Sequence, residues 1–182
     1  MEQVFKKHSI DELSPRTDIL HTEFLNHEFT TILHDRFKEE TNWEQGTDQY
    51  STHDIQLKIE YPDLYEIIKT RFEQLFSEID KIWSLKRGLE VERIFVVKYS
   101  EGTQLQLKEH VDDSYISGSI KLNTDYEGGV LHFPRQEITN KDIGIGDLII
   151  WPSQITHSHQ STKVTKGEKY SITIWTDVKK IS

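Results

Sequence analysis

His110 and Asp112 stand two residues apart, and on a β-strand residues i and i+2 point to the same face. A neutral imidazole and a carboxylate then reach one point, and a second histidine from another strand completes a two-His-one-carboxylate face. Such a face leaves adjacent positions open on an octahedral Fe(II). By itself an H-x-D pair is weak evidence, because a solvated strand-end histidine beside an acidic turn has the same sequence. His21-x-Glu23 repeats the spacing, but it stands in a segment expected to be helical, where i and i+2 diverge, and is set aside. For the third position, the run Trp151-Pro-Ser-Gln-Ile-Thr-His157-Ser-His159-Gln160 offers two histidines. On the residues alone both stay open.

Lys169 is the second chemical feature. From Lys169 to Trp175, alternation places Lys169, Ser171, Thr173 and Trp175 on one strand face and Tyr170, Ile172 and Ile174 on the other. The first set is too polar for a dry core and suits a cavity that holds a small anion. A solvent-facing lysine is the plainer alternative, but Trp175 on the same face is poorly placed for water.

Strands are needed to hold these residues, and the chain reads as a helical first half followed by a strand-rich second half. Phe29, Ile32, Leu33 and Phe37 recur at helical spacing between Glu28 and Lys38. A longer helix is expected over Pro62 to Lys86, with proline at its first position and an apolar stripe from Leu64 to Trp83. Gly88 is its expected cap. After Gly88 the period changes to two: Arg93 to Tyr99, Ser117 to Leu122, Val130 to Phe133, Asp147 to Trp151 and Tyr170 to Asp177 are short alternating or apolar runs separated by turn compositions. Short strands with close turns, backed by helices, predict an α+β chain with a jelly-roll core. The polar stretch Glu39 to His53 reads as a long surface loop, and with Gly102 to Glu109 it is expected to form a lid over the cavity.

With 182 residues a single domain is the default, with helical support over about 1–88 and a jelly-roll core over about 89–182. The absence of cysteine removes disulfide frameworks, thiolate zinc sites, iron–sulfur clusters and cysteine nucleophiles. It is compatible with a reducing cytoplasm, the expected compartment. No apolar run approaches the ~18 residues of a membrane span, and the first residues lack the apolar core of a signal peptide. A net charge of -9 argues against a broad phosphate-binding face, so no stable nucleic-acid partner is expected. Gly144-Ile-Gly146 lacks the continuation of a dinucleotide fingerprint, and neither a G-x-S-x-G elbow nor a P-loop occurs. Nine histidines, by contrast, favour metal chemistry.

The ordered elements VVKYSEG, EHVDD, SIKLN, YEGGVLHF, IGDLIIWPS and HQSTKVTKGEKYSITIW, between Phe95 and Asp177, together resemble the catalytic domain of the 2-oxoglutarate- and Fe(II)-dependent dioxygenases, in the prolyl 4-hydroxylase-like branch. The resemblance implies a double-stranded β-helix, a jelly roll, backed by N-terminal helices. It also implies Fe(II) as the metal, 2-oxoglutarate as co-substrate, O2 as oxidant and ascorbate as a candidate reductant. In the family a basic residue follows the distal histidine by ten positions. Lys169 is ten after His159 and twelve after His157, so His110, Asp112 and His159 are the implied catalytic metal ligands and His157 is expected to be a partly exposed loop histidine. Lys169 then binds the far carboxylate of 2-oxoglutarate, as a point charge where many relatives use an arginine fork. Tyr99 matches a tyrosine that approaches the co-substrate in relatives, and Lys121 stands where a polar side chain often helps bind its distal carboxylate.

The implied reaction is hydroxylation of an aliphatic C–H, prolyl 4-hydroxylase-like on a protein or peptide, with release of succinate and CO2. Asp112 favours hydroxylation over halogenation, since halogenating relatives lack the carboxylate. Two departures bear on the substrate: the loop between Tyr99 and His110 is about two residues longer than in close prolyl 4-hydroxylases, and Leu107 stands where many relatives carry an aromatic. A free amino acid or small metabolite is therefore an alternative substrate. The alternative classes are a cupin-type metalloenzyme without 2-oxoglutarate, which has no need for Lys169, and a silent peptide-binding module, which has no reason to keep all four site residues.

Overall fold

The structure, a computed structural model, describes residues 4–5, 9–46, 50 and 52–179. In chain order the elements are β1 (Asp11–Glu12), β2 (Leu20–Glu23), α1 (His27–Lys38), β3 (Glu44–Gln45), β4 (His53–Gln56), α2 (Leu57–Glu60), α3 (Pro62–Glu73), α4 (Phe76–Trp83), β5 (Leu89–Tyr99), β6 (Leu107–His110), β7 (Ile116–Lys121), β8 (Glu127–Gly128), β9 (Leu131–Phe133), β10 (Ile138–Thr139), β11 (Asp147–Pro152), β12 (His159–Ser161), β13 (Val164–Lys166) and β14 (Lys169–Val178). An eight-stranded antiparallel sheet runs β1-β2-β11-β7-β14-β5-β4-β3, and a four-stranded sheet runs β10-β9-β12-β6. The two form a jelly roll with a cavity between them, and β8 and β13 pair beside it.

Alternation along the central strands separates two environments. Ile94 and Val96 of β5, Leu148 and Ile150 of β11, and Tyr170, Ile172 and Ile174 of β14 join Phe37, Tyr65, Ile68, Phe72 and Ile79 in the main core beneath the helices. Their neighbours in sequence face the other way: Phe95, Val97 and Tyr99 form a small cluster at the cavity, and Ile149 and Trp151 pack with Phe133. The helix layer therefore fixes the sheet from outside while leaving its inner face free for polar residues. Gly118 serves this contact, because a Cβ there would stand 3.1 Å from both Leu148 Cδ1 and Phe72 Cε2.

Several expectations are corrected. The helix expected over 62–86 is two helices, broken at Gln74 and Leu75. The side chain of Glu73, the last residue of α3, accepts the Val91 N–H at 3.3 Å, tying the break to β5. The second helix ends at Trp83, where Ser84 adopts φ 51° and returns its N–H to Asp80, so Ser84 and not Gly88 supplies the left-handed cap. Leu20–Glu23 is a strand, not a helix, paired to β11, and His21 Nε2 lies 2.9 Å from Asp147 Oδ2. The stretch 39–53 is not all loop: β3 and β4 form a hairpin on the edge of the large sheet. Residues 47–49 and 51 of the expected lid lie outside the described residues. Among the described residues, no helix is long and apolar enough to cross a membrane.

Candidate metal centre and its cavity

β6 and β12 are antiparallel, with His110 directly opposite His159. Pairing therefore brings the two imidazoles together, with ring centroids 4.5 Å apart. Asp112 lies just past the end of β6, not on it as the i, i+2 expectation required, and the turn still carries its carboxylate back to the rings. Asp112 Oδ1 is 3.3 Å from His110 Nε2 and 3.5 Å from His159 Nε2. Among the described residues, these three form the one group able to hold a metal, their donor atoms within 4.8 Å of one another.

The backbone sets the tautomers. His110 Nδ1 donates to the Lys108 carbonyl at 2.8 Å and His159 Nδ1 donates to the His157 carbonyl at 3.0 Å. A carbonyl only accepts, so each Nδ1 carries a proton and each Nε2 faces Asp112, donating to it when protonated and offering a lone pair to a metal when neutral. Burial opposes the ionised Asp112, but His110, His159 and Ser117 outweigh it and hold its pKa well below the usual carboxylate range. Burial likewise opposes charge on His110, and Asp112 outweighs it and raises that pKa. Two imidazole Nε2 atoms and an anionic oxygen thus converge on one point, and as a donor set they suit Fe(II).

Asp112 is held from behind. Ser117 Oγ donates to its Oδ2 at 2.6 Å and lies 2.9 Å from Ser153 Oγ, whose hydroxyl reaches the Ser114 carbonyl at 2.9 Å. Sequence reading missed these serines; their only signal was an uncharged polar residue on the inner face of β7. His157 is not the partly exposed loop histidine expected: it is buried, with Nε2 2.7 Å from the Thr17 carbonyl and Nδ1 2.8 Å from Thr156 Oγ1. Both ring nitrogens are engaged away from Asp112, and its backbone carbonyl orients His159.

The centre opens into a cavity of about 730 Å³ lined from both sheets. Lys169, Ser171, Thr173 and Trp175 of β14 all line it, as does Tyr99. Lys169 closes the deep end, 4% exposed, its Nζ donating to Ser161 Oγ at 2.9 Å and lying 4.8 Å from the Tyr99 ring centroid. No carboxylate among the described residues pairs with it, and burial, with help from Lys121, brings its pKa down to about 7. Burial also pushes the Tyr99 phenol up. Gly129 makes room for the lysine: at φ +60°, a Cβ there would meet Val164 Cγ2 at 2.8 Å and Lys169 Cδ at 3.2 Å. Lys121 does not join the cavity wall; its ammonium donates to the Lys141 and Ile143 carbonyls at 3.1 and 2.8 Å. Of the described residues of the expected lid, Glu44, Gln45, Gly46, Tyr50, Thr52 and Leu107 line the cavity.

Residues 94–177 match the model of the 2OG-Fe(II) oxygenase superfamily. The multifunctional procollagen lysine hydroxylase and glycosyltransferase of Caenorhabditis elegans is 35% identical over 85 residues, which are 45% of this chain and 12% of that protein. Procollagen-lysine,2-oxoglutarate 5-dioxygenase 1 of Mus musculus is 35% identical over 79 residues, 42% of this chain and 11% of its own length. The match thus spans about an eighth of these relatives. A Pseudomonas putida prolyl-4-hydroxylase shares the fold with a TM-score of 0.67 at 15% identity, over 91% of this chain and 94% of that one. The viral collagen prolyl hydroxylase of Paramecium Bursaria Chlorella virus-1 does so at 0.62 and 17%, over 94% and 96%. The segment that matches the 2OG-Fe(II) oxygenase superfamily model contains the three metal-site residues and Lys169, and the jelly roll that carries them is the fold of these prolyl hydroxylases.

Proposed function

We propose that this chain is an Fe(II)- and 2-oxoglutarate-dependent dioxygenase that hydroxylates an aliphatic C–H of a protein or peptide residue, with proline as the first candidate. One observation carries the reading: two imidazole nitrogens and Asp112 Oδ1 converge in a cavity whose deep end is a buried lysine without a carboxylate partner among the described residues. His110, Asp112 and His159 would hold the metal, and Lys169 the far carboxylate of the co-substrate. β12 places His159 and Ser161 on one face about 7 Å apart, so the metal-site residues and Lys169 would bracket a slot for a short dicarboxylate. The chemistry supplied by bound Fe(II) and 2-oxoglutarate is activation of O2, with decarboxylation to succinate and transfer of one oxygen atom to substrate. The residues of the chain supply position: Ser117 fixes which Asp112 oxygen faces the metal, the Lys108 and His157 carbonyls fix the imidazole tautomers, and the two sheets exclude water. Lysine is the second candidate target, because relatives named for lysine hydroxylation match this segment and Glu44, Asp54 and Asp113 line the mouth.

The test is anaerobic titration with Fe(II) and 2-oxoglutarate followed by visible absorbance. A weak charge-transfer band that needs both additions, survives His157→Ala and disappears with His159→Ala supports the assignment. Succinate release on proline- and lysine-containing peptides, with ascorbate as reductant, then separates the two targets. Metal bound with no such band in wild type would sink the reading and favour a metalloenzyme that does not use 2-oxoglutarate.

A further inference from the structure

The cavity holds a second cation that the co-substrate does not need. Across the large sheet, Arg93 of β5 pairs with Trp175 of β14, Trp175 with Ser117 of β7, and Ser117 with Trp151 of β11. Ser117 carries Asp112 on its hydroxyl, so this row of the sheet lies beneath the metal centre. Adjacent strands are about 4.8 Å apart, which puts Arg93 two strands, or about 10 Å, to the side of the metal site. Lys169 stands six residues from Trp175 along β14, at the other end of the cavity.

Arg93 lines the cavity with its guanidinium 5.0 Å from the Trp175 ring centroid and 5.1 Å from that of Phe95. The Phe95 and Trp175 rings meet edge to face at 5.3 Å, and this pair holds the fork flat by cation–π contact. Among the described residues no carboxylate and no hydrogen-bond acceptor is bound to it. Arg93 itself is exposed, whereas Trp175 Nε1 beside it is shielded from solvent and has no acceptor among the described residues. Asp54, on the neighbouring strand β4 opposite Val97, is engaged by Thr52 Oγ1 and Gln56 Nε2. A guanidinium stacked on two rings at the solvent-exposed edge of the cavity, with no protein acceptor among the described residues, presents its fork to an incoming carboxylate.

We propose that Arg93 determines specificity by binding a carboxylate of the substrate, with the Trp175 indole N–H as an auxiliary donor. The inference rests on the proposed dioxygenase reading. At about 3.3–3.6 Å per extended residue, a carboxylate about 10 Å from the metal belongs to a peptide and lies about three residues from the hydroxylated one. It comes either from an Asp or Glu side chain or from the C-terminus.

The test uses the full chain with Fe(II), 2-oxoglutarate and O2. Its probes are blocked heptapeptide pools, random except for one position fixed as Glu, Gln or Lys, and the matching Gln pools with a free C-terminus. Succinate formation is read for wild type, Arg93→Gln, Arg93→Lys and Arg93→Glu. We expect wild type to prefer a carboxylate pool by about tenfold in kcat/KM, through KM, with Arg93→Gln losing the preference and Arg93→Lys keeping part of it. Preference for fixed Glu identifies a side chain, and preference for the free end identifies the terminus. Arg93→Glu should turn the preference toward pools with Lys at the same position, which a merely structural arginine would not do. Equal handling of Glu, Gln and free-end pools by wild type, including no turnover of any, overturns the assignment. The charge-transfer band, recorded on the same samples, separates the two failures: without it the dioxygenase reading has failed, and with it only the role of Arg93 has.

Discussion

An empty site with a buried lysine near pH 7 must take up a proton to bind a dianion. Lys169 is 4% exposed, its ammonium bonds only to Ser161 Oγ among the described residues, and burial lowers its pKa from 10.5 to about 7. A carboxylate placed against Nζ restores the charged form, so binding is linked to protonation. With a pKa of about 7, about 0.1 proton is taken up per site at pH 6, about 0.5 at pH 7 and about 0.9 at pH 8. Co-substrate affinity falls accordingly, by about tenfold from pH 6 to pH 8. The assay is calorimetric titration of 2-oxoglutarate into the Mn(II)-loaded protein, in buffers of differing ionisation enthalpy; the slope of heat against that enthalpy counts protons. Lys169→Arg stays charged throughout and should flatten the profile, which separates this uptake from the titration of the metal ligands. Near-zero uptake at pH 8 in wild type, or the same uptake in Lys169→Arg, would refute the reasoning. The empty protein carries the mirror image. Between about pH 7 and 10.5 the unfolded chain holds a proton that the folded chain lacks, so stability rises with pH across that window and saturating co-substrate removes the slope.

Ser117→Ala should weaken metal binding by about 10- to 100-fold, because Asp112 Oδ2 loses its 2.6 Å donor; competition against a metal-sensitive dye measures it. His157→Ala should leave the Fe(II)–2-oxoglutarate band in place and lower stability by about 1–3 kcal/mol, since the Thr17 carbonyl and Thr156 hydroxyl lose their buried partner; denaturant melts beside absorbance check both halves. Gly129→Ala forces a Cβ against Val164 Cγ2 and Lys169 Cδ at φ +60°. It should raise the 2-oxoglutarate KM while the metal stays bound, and an unchanged KM would show that the lysine stem is not held there.

The inner and outer faces of the sheet were legible in sequence because alternation reports burial directly. Ile94, Val96, Ile172 and Ile174 went under the helices while Lys169, Ser171, Thr173 and Trp175 went to the cavity. The short strands carrying two of the metal-site residues were not legible: β6 and β12 span four and three residues, too short for a period to emerge, and their partners are distant in sequence. That is also why Asp112 was expected on a strand it only follows. The helix break at Gln74–Leu75 was hidden for a related reason, since the apolar stripe continues through it and the contact that ties it, Glu73 to the Val91 N–H, is tertiary.

Lys121 and Lys169 show where sequence reading reaches its limit. Both are lysines on adjacent paired strands with polar neighbours on the inner face, and either could serve an anion by that criterion. The difference lies in what lies beyond each side chain. Lys121 stands near a strand end, where the Lys141 and Ile143 carbonyls come within reach and absorb its ammonium. Lys169 meets a serine hydroxyl and an aromatic ring and no carbonyl or carboxylate among the described residues, so its charge is left to a ligand. A buried lysine in that condition costs the empty fold stability. Lys169→Met, matched in length and uncharged, should therefore raise Tm while abolishing 2-oxoglutarate affinity. Loss of both together would mean that the lysine supports the fold and not a co-substrate.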